Sequence, residues 1–155
     1  MRGKQAPHRT ILPDPKYNNV SIAKLVNYVM ECGKKSTAQR IVYEALTKAE
    51  EKTKKPAMEV FDEAMKNVSP LLEVKSRRVG GANYQIPLQV RAERRQQLAF
   101  RWIISAARAK KGKPMAEKLA AEFIAASENQ GDAVKKKQDV QRMAEANRAF
   151  AHFAR

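Results

Sequence analysis

LLEVKSRRVGGANYQIPLQVR, residues 71–91, decides the fold. It is the one stretch that reads as strand, and the sequence on either side of it reads as helix. Side chains along a strand face alternate sides. Leu72, Val74, Ser76 and Arg78 therefore share one face of a first run, and Tyr84, Ile86, Leu88 and Val90 share one face of a second, about the pair Gly80-Gly81. Two registers are open. A two-residue Gly80-Gly81 turn sets Val74 opposite Pro87 and puts the apolar sets on opposite faces. A three-residue loop, Gly80-Gly81-Ala82, pairs Leu72 with Val90, Val74 with Leu88, Ser76 with Ile86 and Arg78 with Tyr84. The second register keeps one face apolar and is the one predicted. Pro87 lacks an N–H, so its nitrogen should point away from the partner strand, which argues for a free two-stranded ribbon rather than a wide sheet.

The ribbon is graded. Its base is apolar, with Leu72, Val74, Leu88 and Val90, and its far half carries Lys75, Arg77 and Arg78. A lone hairpin is marginal in water, so the base must pack on something, and the tip is then free to reach out. Either the cations merely protect the ribbon's edges, or the ribbon is a basic arm for a nucleic acid groove.

Outside the ribbon the chain reads as six helices. Residues 1–19 hold three prolines and Asn18-Asn19, which break any helix, so they form an irregular basic tail. The first helix spans about Val20 to Cys32, capped by Asn19 or Ser21, and Gly33 suits the left-handed position after it. Ser36, with Gln39 three residues on, makes a capping box for a second helix that runs to about Thr53. Pro56 fits the first turn of a third helix, which Ser69-Pro70 ends. The fourth, about Ala92 to Lys110, is apolar over most of its circumference, so it should be central, with Leu98 and Trp102 in the core. Its Arg94, Arg101 and Arg108 are seven apart and line one row, which faces either RNA or acids of neighbouring helices. A fifth helix spans about Met115 to Ser127. A sixth, about Asp132 to Phe150, is weakly apolar and should lie on the surface. At 155 residues this is one domain, residues 1–155.

Charge bounds the function. Lys plus Arg is 31 against 16 acidic residues, a net of +15. Residues 1–35 hold 7 basic and 2 acidic groups and residues 71–113 hold 11 and 2, whereas residues 36–70 balance at 6 and 6. Such concentration opposes folding by self-repulsion and implies a polyanion partner. The N-terminus lacks the apolar segment of a secretion signal, and no apolar run approaches the roughly 20 residues of a membrane span. One cysteine, Cys32, allows no intramolecular disulfide, which fits a reducing compartment, and it reads as a small buried residue.

Catalytic and cofactor readings fail on the residues. Gly33-Lys34-Lys35-Ser36-Thr37 invites a phosphate loop, but that motif needs glycine at 28 and Ser or Thr at 35, where Tyr28 and Lys35 stand. Lys34 and Lys35 do sit close to a helix N-terminus, which attracts phosphate. Cys32, His8 and His152 have no metal-site spacing. No cofactor, metal or catalytic constellation is expected, so the chain should not be an enzyme.

The motifs LPDPKY, GKKSTAQRIVYEAL at 33–46, EVKSRRVGGANYQIPLQVR at 73–91, FRWIISAAR at 100–108 and AVKKKQDVQRMAEANRAFAH at 133–152 resemble the bacterial form of the small-subunit ribosomal protein S-seven family, over nearly the whole chain. The resemblance implies a mainly α, six-helix bundle with a protruding antiparallel β-ribbon between the third and fourth helices. It implies direct binding to the 3′ major domain of small-subunit rRNA, early in assembly of the subunit head, in a cytoplasmic ribosome. It also implies a ribbon near messenger RNA and exit-site tRNA, and a C-terminal helix near the eleventh small-subunit protein. No membrane and no homo-oligomer is expected. The candidate RNA contacts are Arg2, Lys4, Arg9 and Lys16 in the tail, Lys34 and Lys35 at the first helix junction, and Lys75, Arg77 and Arg78 on the ribbon. To these are added Arg91, Arg94, Arg95, Arg101 and Arg108 along the fourth helix, Lys110, Lys111 and Lys113 after it, and Lys135, Lys136, Lys137 and Arg142 on the sixth. Without the resemblance, the rival is an architectural DNA-binding protein that uses a basic ribbon as an arm.

Overall fold

The computed structural model describes Gly3 and residues 9–154, so the tail residues Arg2, Lys4 and His8 lie outside it. The elements run α1 Val20–Val29, α2 Lys35–Thr53, α3 Ala57–Val68, β1 Leu72–Val79, β2 Ala82–Gln89, α4 Ala92–Ala109, α5 Met115–Ser127 and α6 Asp132–Ala146. A 3-10 helix, Arg148–Ala154, follows. The mainly helical class and the hairpin between the third and fourth helices are as read from the sequence.

Asn19 caps α1: its Oδ1 accepts the Ser21 N–H at 2.7 Å. The helix stops at Val29, short of the expected Cys32: the backbone turns extended at Met30, with ψ of 135°, and Cys32 and Gly33 then both adopt positive φ, 51° and 73°. That turn carries Cys32 off the apolar face, and the thiol is exposed instead of buried. The capping box on Ser36 does not form. The Lys34 N–H donates to the Glu31 carbonyl and the Lys35 N–H to that of Gly33, so α2 already begins at Lys35 with no side-chain cap.

The core is one cluster drawn from all six helices, with Phe61, Phe100 and Phe123 among its largest enclosed side chains. Phe61 and Phe123 meet edge to face at 5.8 Å between centroids. α4 packs against α1, α3, α5 and α6, and α5 against α2, α3, α4 and α6, so the centre is shared between them. Alanines at 116, 120 and 126 keep α5 narrow enough for such close neighbours. Trp102, expected in the core, is only half-buried against it. A side chain of that size is rarely enclosed completely.

The ribbon takes the register that patterning argued against. Val74 pairs with Pro87, Lys75 with Ile86, Arg77 with Tyr84 and Val79 with Ala82, across a two-residue Gly80-Gly81 turn. The glycines have φ of 57° and 92°, the values of a type I′ turn, whose twist matches that of the strands it joins. Turn geometry therefore prevails over the single-faced pattern. The pattern argument assumed one covered face. In fact Leu72 and Val74 lie on one face with Pro87, while Tyr84, Ile86, Leu88 and Val90 lie on the other, opposite Lys75 and Arg77. The Val90 N–H donates to the Leu71 carbonyl at 3.0 Å, and hydrogen-bonded pairs alternate from there. Pro87 falls in a non-bonded pair, nitrogen outward, as expected.

Nor is the ribbon free along its length. α6 packs on both strands, and the 3-10 helix packs on β2, with Phe150 against Tyr84 at 4.9 Å between ring centroids. This cover buries Ile86. It also corrects the reading of the sixth helix as a plain surface layer reaching Phe150: α6 ends at Ala146, and its small residues Ala133, Val134 and Ala144 are buried. Phe123→Ala should cost about 3–5 kcal/mol of stability in urea unfolding, as for other enclosed aromatics, and Trp102→Ala should cost clearly less. Equal losses would mean that Trp102 is as enclosed as Phe123.

Candidate nucleic-acid interface

Among the described residues, some of the cations named from the sequence are exposed and some hold elements of the fold together. On the ribbon Lys75, Arg77 and Arg78 are exposed, the first two on the face of Ile86 and Tyr84 and Arg78 on the other. Arg91 is exposed at the N-cap of α4. The seven-residue row on α4 splits. Arg94 pairs with Glu73 of β1 at 3.2 Å, and Arg108 with Glu31 at 2.6 Å. Arg101, between them, is exposed and has no acidic partner among the described residues. Arg95 is half-buried and its Nε donates to the Val90 carbonyl at 3.0 Å, tying the helix to the end of the ribbon.

At the end of α4 the same residue type serves two ends. Lys111 and Lys113 are exposed, whereas Lys110 donates to Glu122 Oε2. Glu122 is fully buried, and its Oε1 accepts the Ala133 N–H at 2.9 Å in the first turn of α6. A buried carboxylate is tolerable only with such partners. On α6, Lys135 lies 3.6 Å from Asp132 and Arg142 lies 3.8 Å from Asp139, both pairs on the surface, and Lys136 is exposed. Lys137 turns inward. Its Nζ donates to the Asn67 carbonyl at 2.7 Å, at the C-terminal end of α3, and burial holds its pKa below the ordinary lysine value. A cation on the last carbonyls of a helix also meets the negative end of the helix dipole.

The tail from Arg9 onward is irregular, as expected, but it is held. Asp14 is 3 % exposed. Its Oδ1 accepts the Tyr43 hydroxyl at 2.6 Å, and its Oδ2 accepts the Lys16 and Tyr17 N–H groups at 3.1 and 3.2 Å. The Lys16 ammonium stands 5.2 Å from the Tyr17 ring centre and 5.3 Å from that of Tyr43. Cation–π contact of this kind holds the lysine without neutralising it. Arg9 is exposed. Lys34 and Lys35 are exposed at the N-terminus of α2, which has neither a side-chain cap nor an acid in its first turn. Free amides there favour a phosphate.

Two residues that organise this surface, Asp14 and Glu122, were absent from the sequence reading. Each had a signal. Asp14 lies between two prolines in an otherwise basic tail. Glu122 sits three residues after Leu119 and four before Ala126, on the apolar stripe of α5. Among the described residues no helix is long and apolar enough to cross a membrane, and no group of three or more His, Cys, Asp or Glu is placed to hold a metal ion.

A family model described as ribosomal protein S7p/S5e matches residues 1–148. The small ribosomal subunit protein uS7 of Thermotoga petrophila is 60% identical over 153 residues, 99% of each chain. That of Chloroflexus aggregans is 58% identical over 147 residues, 95% of this chain and 94% of its own. That of Roseiflexus castenholzii is 57% identical over 143 residues, 92% and 91%.

The Asp14 contact predicts a late phenol. Burial first, then the hydrogen bond and charge of Asp14, push the Tyr43 pKa up to about 12 from 10.0. A raised pKa means that the folded state favours the protonated form. The contribution to stability is therefore whole below pH 10 and is lost as pH rises through about 12. In a tyrosinate absorbance titration Tyr43→Phe should remove a phenol that ionises near pH 12, and Asp14→Asn should bring the Tyr43 transition earlier. A Tyr43 transition unmoved by Asp14→Asn would contradict the contact.

Proposed function

The chain belongs to the ribosomal protein S7p/S5e family, and on that premise we propose that it is a structural, non-catalytic rRNA-binding protein of the small ribosomal subunit in the cytoplasm. It binds the 3′ major domain of small-subunit rRNA directly and nucleates assembly of the subunit head. The observation that carries this reading is the placement of the exposed cations. Arg9, Lys16, Lys34 and Lys35, then Lys75, Arg77, Arg78 and Arg91, then Arg101, Lys111 and Lys113 all stand outward, in the two segments that hold 18 basic and 4 acidic residues. Segments so one-sided in charge, with most of their cations exposed, suit a phosphate backbone.

Four other cations serve this surface from within. Arg94, Arg95, Lys110 and Lys137 fix the ribbon, the loop after α4 and the start of α6. The ribbon tip passes messenger RNA and exit-site tRNA. The C-terminal helix meets the eleventh small-subunit protein, a contact supported by Met143, 45% exposed on α6. The ribbon lies against α6 and the 3-10 helix, which disfavours the rival use of a free arm in a DNA groove.

Filter binding of a 3′ major domain rRNA fragment, against duplex DNA of equal length, tests the reading. If roughly 6–10 phosphates are neutralised, affinity should fall about 10³–10⁵-fold between about 50 and 200 mM salt, and the rRNA should outcompete the duplex. Arg101→Ala should weaken binding with little change in melting temperature, because exposed charges add little to stability. Glu122→Ala should instead lower stability by about 1–3 kcal/mol, from the N–H and ammonium it leaves unpaired. A flat salt response, or preference for the duplex, would overturn the proposal.

A further inference from the structure

Residues 9–15 form one wall of a groove of about 600 Å³, with α1 and the start of α2 as the other. That volume is of the size that takes a small organic group. The groove is built in advance. The Asp14 carboxylate, held by Tyr43 and two backbone N–H groups, anchors the wall between Pro13 and Pro15. Its linings are of three kinds. Leu12 is 82% exposed and Ile11 39%, so an apolar surface faces solvent. Asn27 and Gln39 supply amides, each able to donate and accept. Arg9 and Lys35 are exposed cations at the rim, and Lys35 opens the uncapped N-terminus of α2. The one acid among the described lining residues is Asp14, and both its oxygens are already occupied.

An apolar plate, amides beside it and cations at its edge match the three parts of a nucleotide. A bare phosphate backbone would need no plate, and an apolar protein segment would need no cationic rim. RNA is read in sequence mainly where its bases are unstacked and hydrogen-bonded at their edges, and a base taken out of its stack is held against aromatic or apolar side chains. We infer that this groove seats one unstacked nucleotide of the bound RNA, its base against Leu12 and Ile11, its edge at Asn27 and Gln39, and its phosphate at Lys35 and Arg9. The inference rests on the RNA-binding reading above.

Methyl-resolved NMR of the full chain tests it, with the 3′ major domain rRNA fragment and a fully paired RNA duplex of equal length as probes. The fragment should shift the Leu12 and Ile11 methyls, and the duplex should leave them in place while shifting backbone amides of the ribbon. Leu12→Ser, at a side chain with little to lose in packing, should keep the melting temperature. It should weaken fragment binding roughly five- to tenfold, by the same factor at each salt concentration. The loss from Lys35→Ala should shrink as salt rises. Leu12 methyls unmoved in a complex that forms would overturn the groove alone, and so would equal shifts with the duplex. A wild-type chain that binds neither RNA would overturn the RNA-binding reading and the groove with it.

Discussion

The fold turns on the carboxylate of Glu122. It is wholly enclosed, and an enclosed charge must be answered by other groups or the chain will not keep it there. Lys110 answers from the end of α4 and the Ala133 N–H from the start of α6. Gly131 is required between them: a Cβ there would stand 3.0 Å from Glu122 Oε1, and its φ is 92°. About one turn further on, Lys137 takes the Asn67 carbonyl near the end of α3, while the Asn67 side chain takes the Ala126 and Ser127 carbonyls at the end of α5, both at 2.9 Å. The ends of four helices are thus joined through a few polar contacts. The line of α6 is set from that joint. Since α6 and the 3-10 helix after it cover the ribbon, the ribbon's direction follows from Glu122 as well.

This separates two uses of positive charge that composition cannot separate. A lysine solvated at a loop tip and a lysine on a helix's last carbonyls count equally toward a net charge of +15. Lys110 and Lys111 are neighbours in the chain, and one is structural while the other faces solvent. The phosphate contacts available are therefore fewer than the net charge suggests. In the proposed rRNA complex the inward cations serve indirectly, by holding the outward ones in place. Lys16 is an intermediate case. Two aromatic rings hold it, and its charge stays available.

What was legible in the sequence follows the same line. Helix periodicity, the cap at Asn19 and the Gly-Gly hairpin are local signals, and each produced the element expected. Ribbon register was misread because it was argued from burial, which depends on what covers each face. The cover is Phe150 and α6, distant in sequence, while the type I′ turn at Gly80-Gly81 needs only two residues. α1 ends three residues before the expected Cys32 because the backbone already turns extended at Met30, a residue that carries no helix-stop signal. Asp14 and Glu122 were passed over because an acid in a basic chain reads as solvated. Their positions, between prolines and on an apolar stripe, were the evidence against that.

The proposed interface puts RNA on the junction of α1 and α2 and along the outward cations, and not on the charge-balanced outer part of α2. The chain's single cysteine makes the test direct, since Cys32 is exposed beside Lys34 and Lys35. A hydroxyl-radical source tethered to Cys32, in the complex with the 3′ major domain rRNA fragment, should cut the RNA backbone at a small set of nucleotides. The same source on Glu51→Cys in a Cys32→Ser background, near the far end of α2, should cut weakly or not at all. Strong cleavage from position 51 with none from Cys32 would contradict the account.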